Sequence, residues 1–535
     1  MSGHKITCPY CFNEFNDDDV HFRMETVYAE DDLDPIGEGR SLDEIEVDSR
    51  YSSVEIKEQM AEFKRREQFV KRDDTVYQNF WAEFAGTTEK ASLSRDGKEP
   101  SVLPYHRPVF DPKNAQHAAL FGKPKRNSDV VNESGMVYAA VDCFGKLTQR
   151  RVCPHCHNPL PGAYGKYPVK FVSIIGITGA GKTVYLSQLS KYVAQQIAYF
   201  DIVANPTSQD VQEYIEANPV VMGEKLPVGS PPEQLLQPLC WDLVYGRGEQ
   251  KQYQTIVFFD IAGENCVSAE RIQKFGHFVE RADGIIVVID PKQFQFATAA
   301  DAEEPVKVLQ TISNVYQNRA SNEVRKLPLS ICLSKGDKIA QSMIRGNLDD
   351  IQAIQLNNGQ FLPKFNAENY NPIHDAISAF VQQNDVQLSA QLNILYDNFN
   401  YFLFSAIGTS THEIEVDGEI FDTPEGITIP KRILEPIVWM LYKFRFIEAH
   451  GEIHEPKDWF CDVCTTKKRL RYDTKYCPIH KTNNMGGWVC PECGTENVTE
   501  GEKPGACDTK TCKCFIENGV IKKPGLFKAK VLNRP

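Results

Sequence analysis

The residues with the clearest chemistry form a glycine-rich loop at residues 176–183, GITGAGKT. The loop has the spacing G-x-x-x-x-G-K-[ST], and it follows the apolar run KFVSII and precedes the helix-like run VYLSQLS. In this context Lys182 reaches the β- and γ-phosphates of a nucleotide, and the hydroxyl of Thr183 holds Mg²⁺. Backbone N–H groups at a helix N-terminus bind the phosphates. We assign this backbone to Gly179, Ala180 and Gly181.

A second candidate group ends the apolar run QTIVFFD at Asp260. The four residues DIAG have the spacing D-x-x-G, which is common by chance when it stands alone. At the end of a strand, its carboxylate steadies Mg²⁺ through water, and the N–H group of Gly263 meets the γ-phosphate. The pattern therefore predicts a second contact to the phosphate end of a nucleotide.

Two later segments have the groups that bind guanine. SICLSKGDK places Ser334, Lys335 and Asp337 after an apolar run, in a pattern close to N-K-x-D with Ser in place of Asn. The Asp337 carboxylate would accept hydrogen bonds from N1–H and the exocyclic amine of guanine, whereas adenine presents a lone pair at N1. Such hydrogen bonds can discriminate by about 10⁴-fold or more. The stem of Lys335 would cover the base, and FSAIG supplies Ser405 and Ala406 for an S-A-x motif.

Cysteine spacing predicts zinc sites at both ends of the chain. Four Cys-x-x-Cys pairs account for half of the 16 cysteines, and in a reducing compartment this pattern indicates zinc more than disulfides. Redox use is the weaker alternative, because no pair opens a helix of the thioredoxin type. The predicted ligands are Cys8, Cys11, Cys153 and Cys156 in one Cys₄ ribbon; Cys461, Cys464, Cys477 and His480; and Cys490, Cys493, Cys507 and Cys512, with Cys514 competing for the last place.

Six apolar runs between residues 169 and 407 are predicted to be the strands that position these groups: KFVSIIG, LCWDLVYG, QTIVFFD, GIIVVID, LPLSICLS and YFLFSAI. Helical periodicity separates several of them, which predicts an α/β domain with a mainly parallel sheet. The expected organisation is a split zinc ribbon at 1–14 and 141–166, an irregular and helical insertion at 15–140, a P-loop domain at 167–450, and a double zinc-finger region at 451–535.

Length and charge limit the classes of function. A chain of 535 residues suggests about three or four modules. Its net charge of -13 argues against general electrostatic binding to nucleic acid or to an anionic membrane. No apolar run approaches the roughly 20 residues that span a bilayer, and the first residues lack the apolar core of a signal peptide. We therefore expect a cytoplasmic protein.

The four nucleotide motifs, taken in order, resemble the translation-factor and Ras-related (TRAFAC) class of P-loop GTPases over residues 169–449. The resemblance implies a mainly parallel six-stranded sheet with LCWDLVYG as its antiparallel strand, and it implies GTP or GDP with Mg²⁺ as ligands. ADGIIVVIDP and LEPIVWML, beside cysteine knuckles, resemble the bacterial double-GTPase group of conflict systems. That resemblance implies a switch in antiviral defence that acts on a protein effector or a second GTPase. The sequence leaves the oligomeric state open, and a homo- or hetero-oligomer is among the expected partners.

Two departures from the Ras-like pattern affect the expected chemistry. Glu264 stands where a glutamine orients the attacking water, and a carboxylate repels the charge that develops on the γ-phosphate. We therefore expect slow hydrolysis, assisted by Arg271, Arg281 or an arginine of a partner. The switch hydroxyl for Mg²⁺ is assigned to Ser230, with Thr207 and Ser208 as competitors. The catalytic candidates are Lys182, Glu264 and Ser230.

Two alternatives remain from the sequence. The chain could be a scaffold that GTP stabilises and that scarcely turns GTP over, given Glu264. It could also bind nucleic acid through its zinc fingers, since GWVCPECGTEN resembles the Ran-binding-protein type of zinc finger. The acidic net charge argues against the second alternative.

Overall fold

The structure is a computed structural model of the chain. It describes residues 5–25, 52–58, 60–61, 74–82, 108–113, 130–133, 136–142, 146–207, 210–227, 229, 237–246, 251–263, 265, 277–294, 305–317, 326–339, 356–357, 360–361, 365–416, 418–454, 459–460, 469–470, 487–490, 496–498, 505–506, 515–517 and 520–522.

A seven-stranded sheet forms the centre of the described structure. Its strands are β1 (Val169–Ile175), β2 (Ile202–Pro206), β3 (Leu239–Tyr245), β4 (Gln252–Asp260), β5 (Gly284–Ile289), β6 (Leu329–Leu333) and β7 (Phe399–Leu403). Their order is β2-β3-β4-β1-β5-β6-β7. Strand β3 runs antiparallel to both neighbours, and the other four neighbouring pairs are parallel. The carboxyl ends of β1, β4, β5, β6 and β7 therefore lie along one edge.

The predicted number of strands was wrong, because the sheet has seven strands rather than six. All six predicted strands are present, and the antiparallel LCWDLVYG strand is confirmed as β3. The missed strand is β2, an edge strand in which Val203 is 56% exposed and Pro206 ends the run. Side chains of β2 alternate between buried and exposed from Ile202 to Asn205, so its sequence lacks the continuous apolar run that marks the fully buried strands.

Helices cover both faces of the sheet. They are α1 (Lys182–Gln196), α2 (Asp210–Ala217), α3 (His277–Arg281), α4 (Pro305–Gln317), α5 (Ala367–Asn384), α6 (Val386–Leu395) and α7 (Glu435–Lys443). Apolar residues of α1, α2 and α7 share one core with the sheet, and those of α3, α4 and α6 share the other. The predicted closing helix is α7, and it buries Ile437, Val438, Met440 and Leu441. The layered α/β class is thus confirmed.

The N-terminal region forms small sheets that surround the first two cysteine knuckles. Strand Lys5–Thr7 pairs with Glu14–Asn16, and His21–Arg23 lies between Val109–Phe110 and Arg151–Val152. A further sheet contains Val130–Glu133, Met136–Val141 and Leu147–Thr148, and helix Thr75–Ala82 packs nearby. Strand His21–Arg23 belongs to the predicted insertion, yet it pairs with the strand that precedes the second knuckle.

This N-terminal region shares a hydrophobic core with the central sheet. The ring of Phe12, in the first knuckle, lies 5.5 Å from the rings of both Phe171 on β1 and Phe259 on β4. Tyr10 donates a hydrogen bond of 2.8 Å to Gln237, just before β3. Full burial of a phenylalanine contributes about 1.5–3 kcal/mol, so the contact fixes the ribbon to the sheet.

Short strand pairs complete the described structure. They are Leu356–Asn357 with Gln360–Phe361, Phe365–Asn366 with Ala449–His450, Thr411–Val416 with Glu419–Pro424, Trp459–Phe460 with Arg469–Leu470, Gly487–Val489 with Glu496–Val498, and the three strands Gly505–Ala506, Phe515–Glu517 and Val520–Lys522. Among the described residues, no helix has both the length and the apolar character needed to cross a bilayer.

Candidate functional site

The glycine-rich loop joins β1 to α1 at the carboxyl edge of the sheet. Gly179 and Gly181 have φ angles of 78° and 88°, which favour glycine over residues with a side chain. A Cβ atom on Gly176 would lie 2.2 Å from the carbonyl oxygen of Val288 on β5. The spacing of glycines in this loop is therefore required by its own turns and by its contact with the neighbouring strand.

The first turn of α1 carries the two side chains assigned to phosphate and Mg²⁺. The buried ammonium of Lys182 donates to the carbonyls of Gly176 and Ile177, at 2.9 and 3.2 Å, and so follows the inside of the loop. The hydroxyl of Thr183 donates to Asp260 at 3.4 Å, and both side chains are buried. Oxygen donors of this kind suit Mg²⁺, so the arrangement fits the predicted metal.

Gly263 brings the D-x-x-G segment against the phosphate loop. A Cβ atom at this position would lie 2.4 Å from the backbone nitrogen of Thr178. Asp260 ends β4 beside β1, so both ends of the segment contact the loop or its helix. A glycine is needed here because two backbones approach each other closely.

The predicted base-binding residues come together at the ends of β6 and β7. The Ser405 hydroxyl donates a 2.5 Å hydrogen bond to the Asp337 carboxylate, and the N–H group of Gly408 donates to the same hydroxyl at 3.0 Å. The hydroxyl of Ser334, the residue in place of Asn, donates to the Ile289 carbonyl at 3.2 Å. The carboxylate that would read a base is thus held by a hydroxyl that is itself fixed.

Lys335 joins the base end of the site to the phosphate loop. Its backbone is left-handed, with φ of 53°, and its ammonium lies 2.6 Å from Asp290 and 3.1 Å from the carbonyl of Gly179. Sequence reasoning missed Asp290. Its position offered a signal, since it ends the strand GIIVVID at the same edge of the sheet as Asp260.

A cavity of 740 Å³ lies over these groups. Its lining includes Gly179, Gly181, Lys182, Thr183, Gly263, Ser334, Lys335, Asp337, Ser405 and Ala406 from the predicted set. Ala180 is buried in the core, and Asp260 joins the site through Thr183. Ten predicted nucleotide-binding residues thus share one space large enough for a nucleotide.

Most of the other catalytic candidates are not tested by the described structure. Ser230 and Glu264 lie outside the described residues, as do Ser208 and Arg271. Thr207 is described, and its hydroxyl donates to the Cys240 carbonyl at 3.3 Å. Arg281 is exposed at the end of α3. Neither Thr207 nor Arg281 lines the cavity.

Sequence reasoning also missed a second part of the cavity lining. The hairpin of Thr411–Val416 and Glu419–Pro424 follows the Ser405 loop directly, and it lines the cavity together with residues 225–227. The signal was present in THEIEVDGEIFDTP, where apolar residues alternate with acidic ones around an Asp-Gly pair. Asp-Gly between alternating runs is a strong hairpin signal.

A separate cluster of four cysteines fits a metal ion. The sulfur atoms of Cys8, Cys11, Cys153 and Cys156 all lie within 4.8 Å of one another. The distance is 3.6 Å from Cys8 to Cys156 and 3.7 Å from Cys11 to Cys153, too long for disulfides. Tetrahedral Zn–S bonds of about 2.3 Å would place the sulfurs about 3.8 Å apart. The donor set and its spacing therefore fit zinc.

The two knuckles have matching backbones. Backbone N–H groups of Tyr10 and His155 donate to the first sulfur of each pair, at 3.3 and 3.4 Å. Each knuckle ends in a left-handed residue, Phe12 with φ of 56° and His157 with φ of 55°. Burial raises the pKa of the Cys8 thiol, and a bound cation would offset this effect by stabilising the thiolate. Such N–H donors also stabilise thiolate ligands.

The other predicted zinc ligands cannot be compared with this cluster. Of these residues only Cys490 is described, and it is buried. The remainder lie outside the described residues: Cys461, Cys464, Cys477, His480, Cys493, Cys507, Cys512 and the competing Cys514.

Comparison with solved structures gave only distant similarities. The elongation factor SelB from Methanococcus maripaludis has 10% identity, covering 45% of this chain and 30% of that chain, with a TM-score of 0.19. A GTP-binding protein from Sulfolobus solfataricus has 15% identity, covering 44% and 47%, with a TM-score of 0.18. Roco2 from Methanosarcina barkeri has 13% identity, covering 52% and 48%, with a TM-score of 0.19. The match thus spans less than half of each of those chains, and such TM-scores support no further conclusion.

A family comparison gives a clearer result. No curated protein matches the chain. Residues 170–376 match the model of the family described as Double-GTPase 2. This range contains the phosphate loop, the D-x-x-G segment and the Ser334–Asp337 segment. The resemblance predicted from the motifs is confirmed, because the middle of this chain is similar to the Double-GTPase 2 family.

Proposed function

We propose that the chain is a molecular switch that binds GTP with Mg²⁺, hydrolyses it slowly and regulates a protein partner. The observation that carries the proposal is the pairing of Asp337 with Ser405 inside the cavity that also holds the phosphate loop. A carboxylate held in this way can accept the two N–H donors of guanine, and adenine offers no such pair.

The phosphate end of the cavity supports binding of a triphosphate. Lys182 brings a positive charge to the inside of the loop, and Thr183 with Asp260 offers oxygen donors for Mg²⁺. When bound, the metal ion would neutralise charge on the β- and γ-phosphates. Gly263 lies against the loop, where its N–H group can meet the γ-phosphate and sense its loss.

Slow hydrolysis is proposed from the sequence, because Glu264 stands where a water-orienting glutamine is expected. In the well-known Ras case, an arginine supplied by a partner raises the rate by about 10⁵-fold. A protein effector or second GTPase that supplies such a group would make hydrolysis depend on the partner. The defence context is proposed from the resemblance to the double-GTPase group.

A change of base specificity, from guanine to xanthine nucleotides, tests the proposal. The Asp337→Asn variant exchanges a carboxylate for an amide, which can pair with the C2 carbonyl of xanthine. We expect calorimetry to show that the wild-type chain binds GDP at least 100-fold more tightly than ADP or XDP. In Asp337→Asn the preference for GDP over XDP should fall or reverse.

One control variant and two further measurements decide what a negative result means. Lys182→Ala should weaken GTP and XTP equally, because Lys182 contacts phosphate and not the base. Equal uptake of ADP and GDP by the zinc-replete wild-type chain would refute the guanine assignment. Tight GTP binding with no single-turnover hydrolysis, with or without candidate partners, would favour the scaffold alternative.

A further inference from the structure

Part of the cavity lining, which we term the wall, comes from two pieces that are distant in sequence. One piece is the hairpin of Thr411–Val416 and Glu419–Pro424, and the other is the end of residues 220–227, which we term the arm; residues 225–227 of the arm line the cavity. The arm ends three residues before Ser230, the candidate Mg²⁺ ligand. Contacts between hairpin and arm therefore hold the chain a few residues before Ser230 in sequence.

Two backbone N–H groups of the arm donate hydrogen bonds to the hairpin. The N–H group of Leu226 donates to the carbonyl of Asp422 at 3.0 Å, and that of Gly223 donates to the Thr423 hydroxyl at 2.8 Å. Thr423 is 0% exposed, although Gly223 is exposed and left-handed with φ of 85°. A buried threonine thus holds an exposed turn through its side chain.

A second threonine fixes the other end of the arm. The hydroxyl of Thr428 donates to the carbonyl of Val220 at 3.2 Å, and both residues are buried. Lys225 and Glu419 form an ion pair at 3.2 Å, but both side chains are more than half exposed. Exposed pairs of this kind contribute little, so the side-chain attachment of the arm depends mainly on the two threonines, beside the backbone hydrogen bond of Leu226.

The segment that follows the hairpin and contains Thr428 is in turn fixed to the base-binding loop. The N–H group of Ile429 donates to the carbonyl of Ile407 at 3.0 Å, and Ile407 lies two residues after Ser405. A Cβ atom on Gly408 would lie 1.7 Å from the carbonyl oxygen of Ile429. The loop that contains Ser405, which holds Asp337, is therefore connected to the arm through Ile429 and Thr428.

We propose that Thr423 in the hairpin and Thr428 in the segment after it are positioning residues that hold the arm in place and thereby slow the release of bound nucleotide. This inference rests on the proposed function, because it concerns the same cavity. A nucleotide held between the phosphate loop and this wall leaves when arm and hairpin separate. Loss of either hydroxyl removes one attachment and makes that separation more frequent.

The direct test measures release of a fluorescent N-methylanthraniloyl derivative of GDP from the full-length chain. Thr423→Val leaves the N–H group of Gly223 without its acceptor, and we expect release to accelerate roughly tenfold. Thr428→Val should act in the same direction. Thr423→Ser keeps the hydroxyl and should release GDP at nearly the wild-type rate.

A matched control separates positioning from general loss of stability. Thr311 is also a buried threonine, but its hydroxyl donates to the Lys307 carbonyl within α4, and neither residue lines the cavity. Thr311→Val should therefore leave the release rate unchanged. Equal acceleration in Thr311→Val and Thr423→Val would overturn the inference.

Hydrogen exchange in the absence of nucleotide provides a readout that does not depend on GTP binding. The amides of Gly223 and Leu226 should exchange faster in Thr423→Val than in the wild-type chain or Thr311→Val. Unchanged exchange at both amides would overturn the inference even if the wild-type chain binds GDP. Failure of the wild-type chain to bind any guanine nucleotide would refute the proposed function, and exchange would still decide whether Thr423 positions the arm.

Discussion

The ammonium of Lys335 lies 2.6 Å from the carboxylate of Asp290, and this ion pair connects the ends of β6 and β5 at the candidate site. The same ammonium donates to the carbonyl of Gly179 in the phosphate loop. Asp290 is nearly buried, while the Lys335 side chain is 37% exposed. The ion pair thus directs a partly exposed lysine from the base-binding segment towards the phosphate loop.

Loss of the Asp290 charge should weaken nucleotide binding. In Asp290→Asn the amide oxygen can still accept from the N–H group of Lys292, so the turn is retained while Lys335 loses its anion. A partly exposed ion pair contributes about 1 kcal/mol or less, and we expect up to about fivefold weaker GDP binding by calorimetry.

Asp283 provides a matched control for that change, because it lies at the other end of β5. Its carboxylate pairs with Lys170 at 2.6 Å, the same separation as in the Lys335 pair. Asp283→Asn therefore removes a similar charge outside the cavity and should not change GDP affinity. Equal weakening in both variants would show that Asp290 acts through stability alone.

Gly263→Ala should disturb the phosphate loop. The new methyl group would meet the backbone of Thr178 at 2.4 Å, and backbone atoms cannot move aside without shifting the loop. Overpacking of this kind costs about 1–3 kcal/mol, so we expect GTP and GDP affinity to fall by about tenfold. Gly229 lines the same cavity and has open space around its Cβ position. Gly229→Ala should therefore bind both nucleotides normally, and a comparable loss there would contradict the steric argument.

Removal of one cysteine ligand should remove one zinc ion from the chain. Cys153→Ala takes one sulfur from the four-cysteine cluster, whereas Cys240→Ala removes an equally buried thiol that lies outside it. We expect atomic absorption to find one zinc fewer per chain in Cys153→Ala only. Its thermal unfolding midpoint should also fall, because zinc binding stabilises small folds by about 10 kcal/mol in peptides. Equal zinc content in the two variants would refute the site.

The stability of the chain should fall between neutral and mildly acidic pH because of His374. Burial lowers the pKa of this histidine from 6.5 to about 4, and its ring stacks on Tyr370 and Tyr401. As the pH falls, His374 therefore binds a proton at a higher pH in the unfolded chain than in the folded chain, which favours unfolding. The stabilisation is complete above pH 6.5 and is lost towards pH 4, with about 2 kcal/mol lost between pH 7 and pH 5.

Urea unfolding at pH 7 and pH 5 checks this dependence. His374→Phe keeps an aromatic ring between the tyrosines and should reduce the pH-dependent loss by about 2 kcal/mol, whatever its absolute stability. His412→Gln changes an exposed histidine on the hairpin and should retain the wild-type dependence. If His374→Phe lost as much stability between pH 7 and pH 5 as the wild-type chain, another group would be responsible for the pH dependence.

Local patterns were sufficient to predict most groups that the structure brings together at the candidate site. The phosphate loop, Asp260, Gly263, Asp337 and Ser405 each follow a strand, and parallel strands bring their carboxyl ends to one edge. Each motif requires only its own turn geometry, which a few neighbouring residues determine. The central strands were readable for the same reason, because burial on both faces makes them continuously apolar.

The sequence by itself determined the nucleotide motifs, the central strands and the cysteine spacing. Only the tertiary structure decided which separate pieces meet: β2 at the sheet edge, Asp290 on Lys335, Thr423 on Gly223, and Phe12 on Phe171. Those contacts join residues up to 200 positions apart. Each partner, taken alone, resembles an ordinary surface or core residue. Their pairing depends on how the strands are ordered in the sheet and on how the flanking elements pack against it, and no local spacing of residues encodes either.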